Sequence, residues 1–221
     1  KETVPNGNYL WINQFATALN DTGRAALVMA NSASDAGNSE KDIRIKLIES
    51  GIISQMVTLP SNMFTSVTLP ATLWFFDKAK VKKDEILFID ARNMETEPYE
   101  DSRTQRQLTA KTIDEITSAY HSFRNHEKKA TKSDGTEIEY ADKQGFWKIA
   151  TLEEIREKDY NLTPASYVGV VPIEEDTEPF DEKMKRLTKK LYNVIDESQK
   201  LDEEIKHQLN EMGWNQDFKE E

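Results

Sequence analysis

Apolar positions over the first ninety residues fall into blocks whose spacing changes from one block to the next. Over 9–19, Leu10, Trp11, Phe15, Ala18 and Leu19 recur at the spacing of one helix face. Asn20-Asp21-Thr22-Gly23 then supplies turn chemistry, with Gly23 where a helix terminator sits. Residues 24–30 (RAALVMA) form a short apolar run without alternation, which predicts a strand covered on both faces. A polar, small-residue loop follows, and Ile43, Leu47 and Ile48 then mark one side of a helix over 40–49 that Gly51 ends. IISQMVTL at 52–59 predicts a second strand closed by Pro60, ATLWFF at 71–76 a third and EILFID at 85–90 a fourth. A loop at 61–70 and a charged turn at 80–84 separate them. This alternation of strands and helices predicts an α/β domain with a largely parallel sheet.

The second half is more polar. Residues 93–107 read as a loop, and 112–124 as a helix with Ile113, Ile116, Tyr120 and Phe123 on one face. Residues 128–141 read as exposed, with a turn at Asp134-Gly135. Phe146, Trp147 and Ile149 open a small strand, and Thr151-Leu152-Glu153-Glu154 has the form of a capping box for a short helix to 158. Residues 160–171 read as extended. A long amphipathic helix over 178–211 closes the pattern, with Met184, Leu187, Leu191, Val194, Leu201 and Ile205 stepping by three and four and Ser198 filling one slot. Such a stripe has to be buried, either by folding back or, as the stronger expectation, against a partner helix. The expected divisions are 1–92, 93–176 and 177–221.

Composition narrows the function classes. The 221 residues carry 29 Lys and Arg against 40 Asp and Glu, a net charge of −11. That balance argues against non-specific DNA binding by this chain alone, because phosphate affinity needs clustered cations. The absence of cysteine excludes disulfides and thiolate metal sites. The three histidines are His121, His126 and His207; the first two lie five apart, the wrong spacing for ligands on one helix face, and no metal site is expected. No apolar run approaches a membrane span and no signal-peptide pattern opens the sequence, so no membrane contact and a cytoplasmic location are expected. Neither a Walker loop nor a nucleophile elbow occurs. The sequence begins at Lys1, with a helix that needs a preceding strand to pack on, and is expected to be part of a longer chain.

Several longer strings carry more information. These are NYLWINQF ahead of a helix ending in TGRAALV, and IRIKLIESGII. LPSNMFTSVTLPATLWFFDK and EILFIDAR follow, and then IDEITSAY and TLEEIREKDYNLTPASYV. In this order they resemble the modification subunit of type I restriction-modification enzymes, an N6-adenine DNA methyltransferase. The resemblance covers nearly the whole sequence. It implies the C-terminal half of a Rossmann-like, S-adenosylmethionine-dependent methyltransferase sheet, then a mixed segment and the helical tail.

The resemblance also implies roles. Phe64 falls where related adenine methyltransferases place an aromatic that stacks on a flipped base; the alternative is a Phe buried under its loop. Trp11 aligns with an aromatic near the cofactor's adenine ring; the alternative is a core Trp. Asn31 is a weaker candidate, and Pro60, Asn62 and Pro70 shape the loop. The implied partners are a DNA specificity subunit, a restriction subunit, a second modification subunit and, through the complex, double-stranded DNA. Leu187, Leu191, Val194, Leu201 and Ile205 are the expected subunit interface. Two motifs of the family are missing: the glycine-rich cofactor loop, since eight glycines form no G-x-G, and the Asn/Asp-Pro-Pro-aromatic tetrapeptide, since no two prolines are adjacent. The chain alone is therefore expected to be inactive, and a non-catalytic interaction module is the competing expectation.

Overall fold

The computed structural model describes residues 6–100, 102–128, 140–171 and 179–214. Two compact units emerge, Lys1–Val171 and Pro172–Glu221.

The first unit is built on a five-stranded sheet. Helix α1 (Gly7–Ala18) starts at Asn6, whose side-chain oxygen accepts from the Asn8 N–H at 2.9 Å. Strand β1 (Arg24–Ala30), helix α2 (Asn38–Glu49), and strands β2 (Ile53–Thr58), β3 (Ala71–Asp77) and β4 (Glu85–Asp90) follow in the expected order. Two short strands, β5 (Thr96–Pro98) and β6 (Arg106–Leu108), pair with each other where the sequence pattern reads as a loop. Helix α3 (Ala110–Lys128), strand β7 (Trp147–Thr151), and short helices α4 (Leu152–Glu157) and α5 (Ala165–Val168) complete the unit. The Thr151 hydroxyl accepts from the Glu154 N–H, as the capping pattern requires.

The sheet is mixed rather than largely parallel. Its order is β1-β3-β2-β4-β7, and only β2 and β4 pair in parallel. The β1–β3, β2–β3 and β4–β7 pairs are antiparallel. The reason lies in the connections. Crossover helix α2 returns the chain so that β1 and β2 point the same way. The link from β2 to β3 contains no helix, so β3 runs back and inserts between them. Apolar content cannot reveal this, because a strand covered on both faces looks alike in either direction.

Two layers of side chains cover the sheet. One face buries Tyr9, Ile12, Ile53, Met56, Trp74, Phe76 and Phe88 beneath α1 and α2, with Ile155, Leu162 and Tyr167 closing it. Tyr167 stacks on Phe88 with ring centroids 3.9 Å apart. The other face buries Val57, Leu87 and Ile89 against Ala119 and Phe123 of α3. Three further expectations are corrected here. The buried face of α1 is Tyr9, Ile12 and Ala16, so Leu10 and Trp11 turn outward. Ile113 of α3 is exposed. β1 is an edge strand whose Ala26, Val28 and Ala30 are exposed, Val28 at 51%.

Residues 160–171 are also not extended throughout, since Ala165–Val168 is helical. Asp159 and Tyr160 both adopt left-handed backbone conformations, with φ of 56° and 57°. A bulky residue such as Tyr is rarely found there. The buried guanidinium of Arg44, 2% exposed, accounts for it. Its Nε donates to the Tyr160 carbonyl at 2.8 Å, and Nη1 donates to the Ala36 carbonyl at 2.5 Å and the Tyr9 hydroxyl at 3.1 Å. The Tyr9 hydroxyl in turn donates to the Ala33 carbonyl at 2.6 Å. One side chain thus joins α1, the loop before α2, α2 itself and the turn after α4. Tyr160 is held at its other end by Glu49, which accepts from its hydroxyl at 2.8 Å and from both arms of Arg156 at 2.9 and 2.7 Å.

The second unit contains α6 (Phe180–Glu211), a helix of 32 residues with none buried.

Replacing Arg44 with Leu strands the Tyr160 and Ala36 carbonyls and removes one of the two hydrogen bonds of the Tyr9 hydroxyl. It is expected to lower the urea midpoint by the equivalent of about 2–4 kcal/mol. Tyr9→Phe removes two hydrogen bonds, the one donated to the Ala33 carbonyl and the one accepted from the charged Arg44, and is expected to lose about 2–4 kcal/mol. A midpoint for the Arg44 variant equal to that of the unchanged chain would contradict this assignment.

Candidate functional site

A cleft of about 550 Å³ opens where β1 ends and the segment between β2 and β3 folds over it. Its walls are Val28, Met29, Ala30, Asn31 and Ser32 on one side and Phe64, Val67, Leu69, Pro70 and Ala71 on the other. None of these residues is charged.

The connecting segment is held in place by its backbone. Leu59 N–H donates to the Ala71 carbonyl at 2.8 Å and Asn62 N–H to the Thr68 carbonyl at 3.1 Å. Asn62 takes a left-handed φ of 61°, which a short polar side chain tolerates. Arg106 of β6 donates its N–H to the Asn62 carbonyl at 2.8 Å, and Thr65 donates its hydroxyl to Gln105 at 3.0 Å. The short β5–β6 ribbon therefore anchors the loop that carries Phe64. Phe64 forms a β-bridge with Val67 and remains 39% exposed. Asn31, across the cleft, accepts from the buried Thr72 hydroxyl at 2.6 Å.

Phe64 and Asn31 thus share one cleft, and the alternative of a Phe buried beneath its loop does not hold. Trp11 is not among the lining residues. It is 62% exposed on α1, so it is not a core Trp. Leu187, Leu191, Val194, Leu201 and Ile205 all lie exposed on α6. The sequence reading missed Val28, Val67 and Leu69. Their signal was faint: apolar residues scattered through a polar loop, and one position in a strand that read as buried.

A charged cluster was also missed, at the end of β3 away from the cleft. Asp77 accepts from Arg24 at 2.9 Å and from Arg124 at 3.1 Å, and Arg124 donates to Glu127 at 2.8 Å. Beside them Lys80, nearly fully buried, donates to the Ile53 carbonyl at 2.8 Å. Burial lowers the Lys80 pKa to about 8, against the pull of Glu127, Asp84, Glu85 and Asp77. Burial pushes the Glu127 carboxyl up, partly offset by Arg124 and Lys80. Among the described residues no group of three or more His, Cys, Asp or Glu could hold a metal ion. No described helix is long and apolar enough to cross a membrane.

A model of the N-6 DNA methylase family matches residues 2–176. The chain belongs to that family. A type I restriction enzyme HindI methylase subunit from Haemophilus influenzae is 38% identical over 210 residues, covering 95% of this chain and 44% of the relative. The MjaIX methylase subunit from Methanocaldococcus jannaschii is 37% identical over 214 residues, covering 95% of this chain and 36% of the relative. The chain therefore spans less than half the length of these methylase subunits. A crystal structure of a type I restriction-modification methyltransferase subunit from Streptococcus thermophilus superposes with a TM-score of 0.54 at 29% identity, covering 67% of this chain and 27% of that one. The EcoKI M protein shares the fold, with a TM-score of 0.50 at 16% identity over 90% of this chain and 44% of that one.

The Lys80 site gives a pH signature. Below about pH 8 the ammonium is charged in both states, and burial makes that charge costly in the folded one. Between about 8 and the unfolded value of 10.5, the folded protein releases a proton that the unfolded chain keeps. Stability from this group therefore rises with pH, by up to roughly 1.4 kcal/mol per unit. Denaturation curves between pH 8 and 10.5 should show this rise in the unchanged chain and its loss in Lys80→Met.

Proposed function

We propose that this chain forms the C-terminal portion of the modification subunit of a type I DNA adenine-N6 methyltransferase, and that its cleft receives the target adenine. The observation that carries this reading is the uncharged apolar cleft with a half-exposed Phe64 on its rim, in a chain of the N-6 DNA methylase family. An adenine inside a duplex is out of reach, so such enzymes must draw it from the stack. A flat, neutral base suits apolar walls, and Phe64 supplies the stacking platform. Asn31, with its oxygen occupied by Thr72, offers its amide N–H groups to the edge of the base.

The adenine amino group is a weak nucleophile because its lone pair is delocalised into the ring. A polar group that accepts hydrogen bonds from it localises that pair. The Asn/Asp-Pro-Pro-aromatic motif that would do so is not in these 221 residues. S-adenosylmethionine, when bound, supplies an electrophilic methyl on sulfur. The cleft residues do not fit the whole of that cofactor, since its ammonium and carboxylate meet no opposite charge there and no glycine-rich turn is present. No step through the cofactor is assigned to this chain. The exposed ring of Trp11 fits one part of it, the adenine ring. The sheet is then the second half of a larger methyltransferase sheet, which would continue from the open edge of β1. α6 serves as the assembly element of the subunit.

Two outcomes follow. In an assembled enzyme carrying this sequence, Phe64→Ala is expected to slow methyl transfer about 5- to 150-fold, the equivalent of roughly 1–3 kcal/mol of stacking. Phe64→Tyr should retain most activity. With 2-aminopurine at the target position, the alanine variant should lose the quenching that an aromatic face gives the extruded base. Equal rates and equal fluorescence in all three proteins would remove Phe64 from the site. The 221-residue chain alone, supplied with S-adenosylmethionine and target DNA, is expected to transfer no radiolabelled methyl; turnover would overturn the reading.

A further inference from the structure

Six apolar residues of α6 form one seam. Met184, Leu187, Leu191, Val194, Leu201 and Ile205 follow a heptad and are 42–58% exposed. At a rise of about 1.5 Å per residue the helix runs for roughly 48 Å. Charge is divided along it. Residues 180–190 hold five basic side chains against two acidic ones, and residues 196–211 hold six acidic against two basic. Beyond the first turn, this polarity opposes the helix dipole, which favours cations near the C-terminus. It therefore does not serve the isolated helix. A seam that is basic at one end and acidic at the other is complementary to itself when reversed.

We propose that α6 pairs antiparallel with α6 of a second copy of this chain. One register uses the seam fully. Leu191 then lies opposite the second copy's Val194, Met184 opposite its Leu201, Leu187 opposite its Ser198 and Phe180 opposite its Ile205. In that register one flank sets Lys190 against Glu197 and Lys183 against Glu204. Each pairing occurs twice, because the contact is two-fold symmetric. The opposite flank sets Thr188 against Ile195 and, near the ends, Asp181 against Asp202. Attractive pairs thus outnumber repulsive ones two to one. A parallel pairing offers no opposite-charge pair on either flank and brings Glu197 against Asp202. The charge pattern consequently selects direction, and the apolar seam supplies the association.

This inference concerns the assembly role of α6 and stands apart from catalysis. Sedimentation of the full 221-residue chain over a range of concentrations is expected to show a dimer. The single reversals Lys190→Glu and Glu197→Lys each turn both symmetric pairs into like charges. Each is expected to weaken the dimer about tenfold, and the double reversal to restore it to within about threefold. Both positions are exposed on the helix, and far-UV circular dichroism should stay unchanged. Leu191→Asp should leave a monomer. A chain that stays monomeric at every concentration overturns the proposal. So does a dimer indifferent to the charge reversals, which would place the contact elsewhere. Association seen only when a DNA specificity subunit is added would assign the seam to that partner instead.

Discussion

A buried arginine holds the first unit together. The hydrogen-bond partners of Arg44 are two backbone carbonyls and a phenol, not a carboxylate. Taking a guanidinium out of water costs several kcal/mol, and hydrogen bonds to a charged donor recover about 1.5–3 kcal/mol each. The arrangement is stable only while all three acceptors stay in place. That requirement fixes α1 through Tyr9, the loop before α2 through Ala36, and the turn at Tyr160 in a left-handed conformation. It also explains the DYNL string after α4. Asp159 and Tyr160 make the turn, the Asn161 side chain accepts from Thr163 N–H at 2.7 Å, and Leu162 donates its N–H to the Ser34 carbonyl at 2.9 Å.

The consequence for the cleft is indirect but physical. Arg44 holds the chain that leaves β1 at Ala36 and, through the Tyr9 hydroxyl, at Ala33, the last residue of the turn over Asn31–Ala33. Asn31 is then positioned to meet Thr72 on β3. On the far wall, the return of the chain into β3 brings Phe64, Val67 and Leu69 over the same strand end. Two backbone ties and the β6 anchor hold that wall, so the recess does not depend on packing between its apolar side chains. Its lining carries no charge, whereas charge gathers at the opposite end of β3 around Asp77. One strand thus separates an apolar recess from an ion-paired base.

The sequence determined element order through residue 90, the capped helix after β7, the amphipathic tail and the candidate Phe64. Each is written in local periodicity, in a capping residue or in a motif, and none needs a distant partner. Family resemblance was legible for the same reason, since it rests on strings of consecutive residues.

Strand direction, the exposure of β1, the outward turn of Leu10 and Trp11, and the walls of the cleft were decided by tertiary structure. RAALVMA satisfies a central strand and an edge strand equally well, because after Arg24 its residues are apolar on both sides. Leu10 and Trp11 match the helical period, but the sheet presents its binding surface to Tyr9, Ile12 and Ala16. Lys80 lies in a stretch that reads as a charged turn, and nothing local marks it or Arg44 for burial. Their places follow from carbonyls contributed by residues far along the chain, Tyr160 for one and Ile53 for the other. Which oxygen atoms surround a buried charge is a property of the folded chain as a whole.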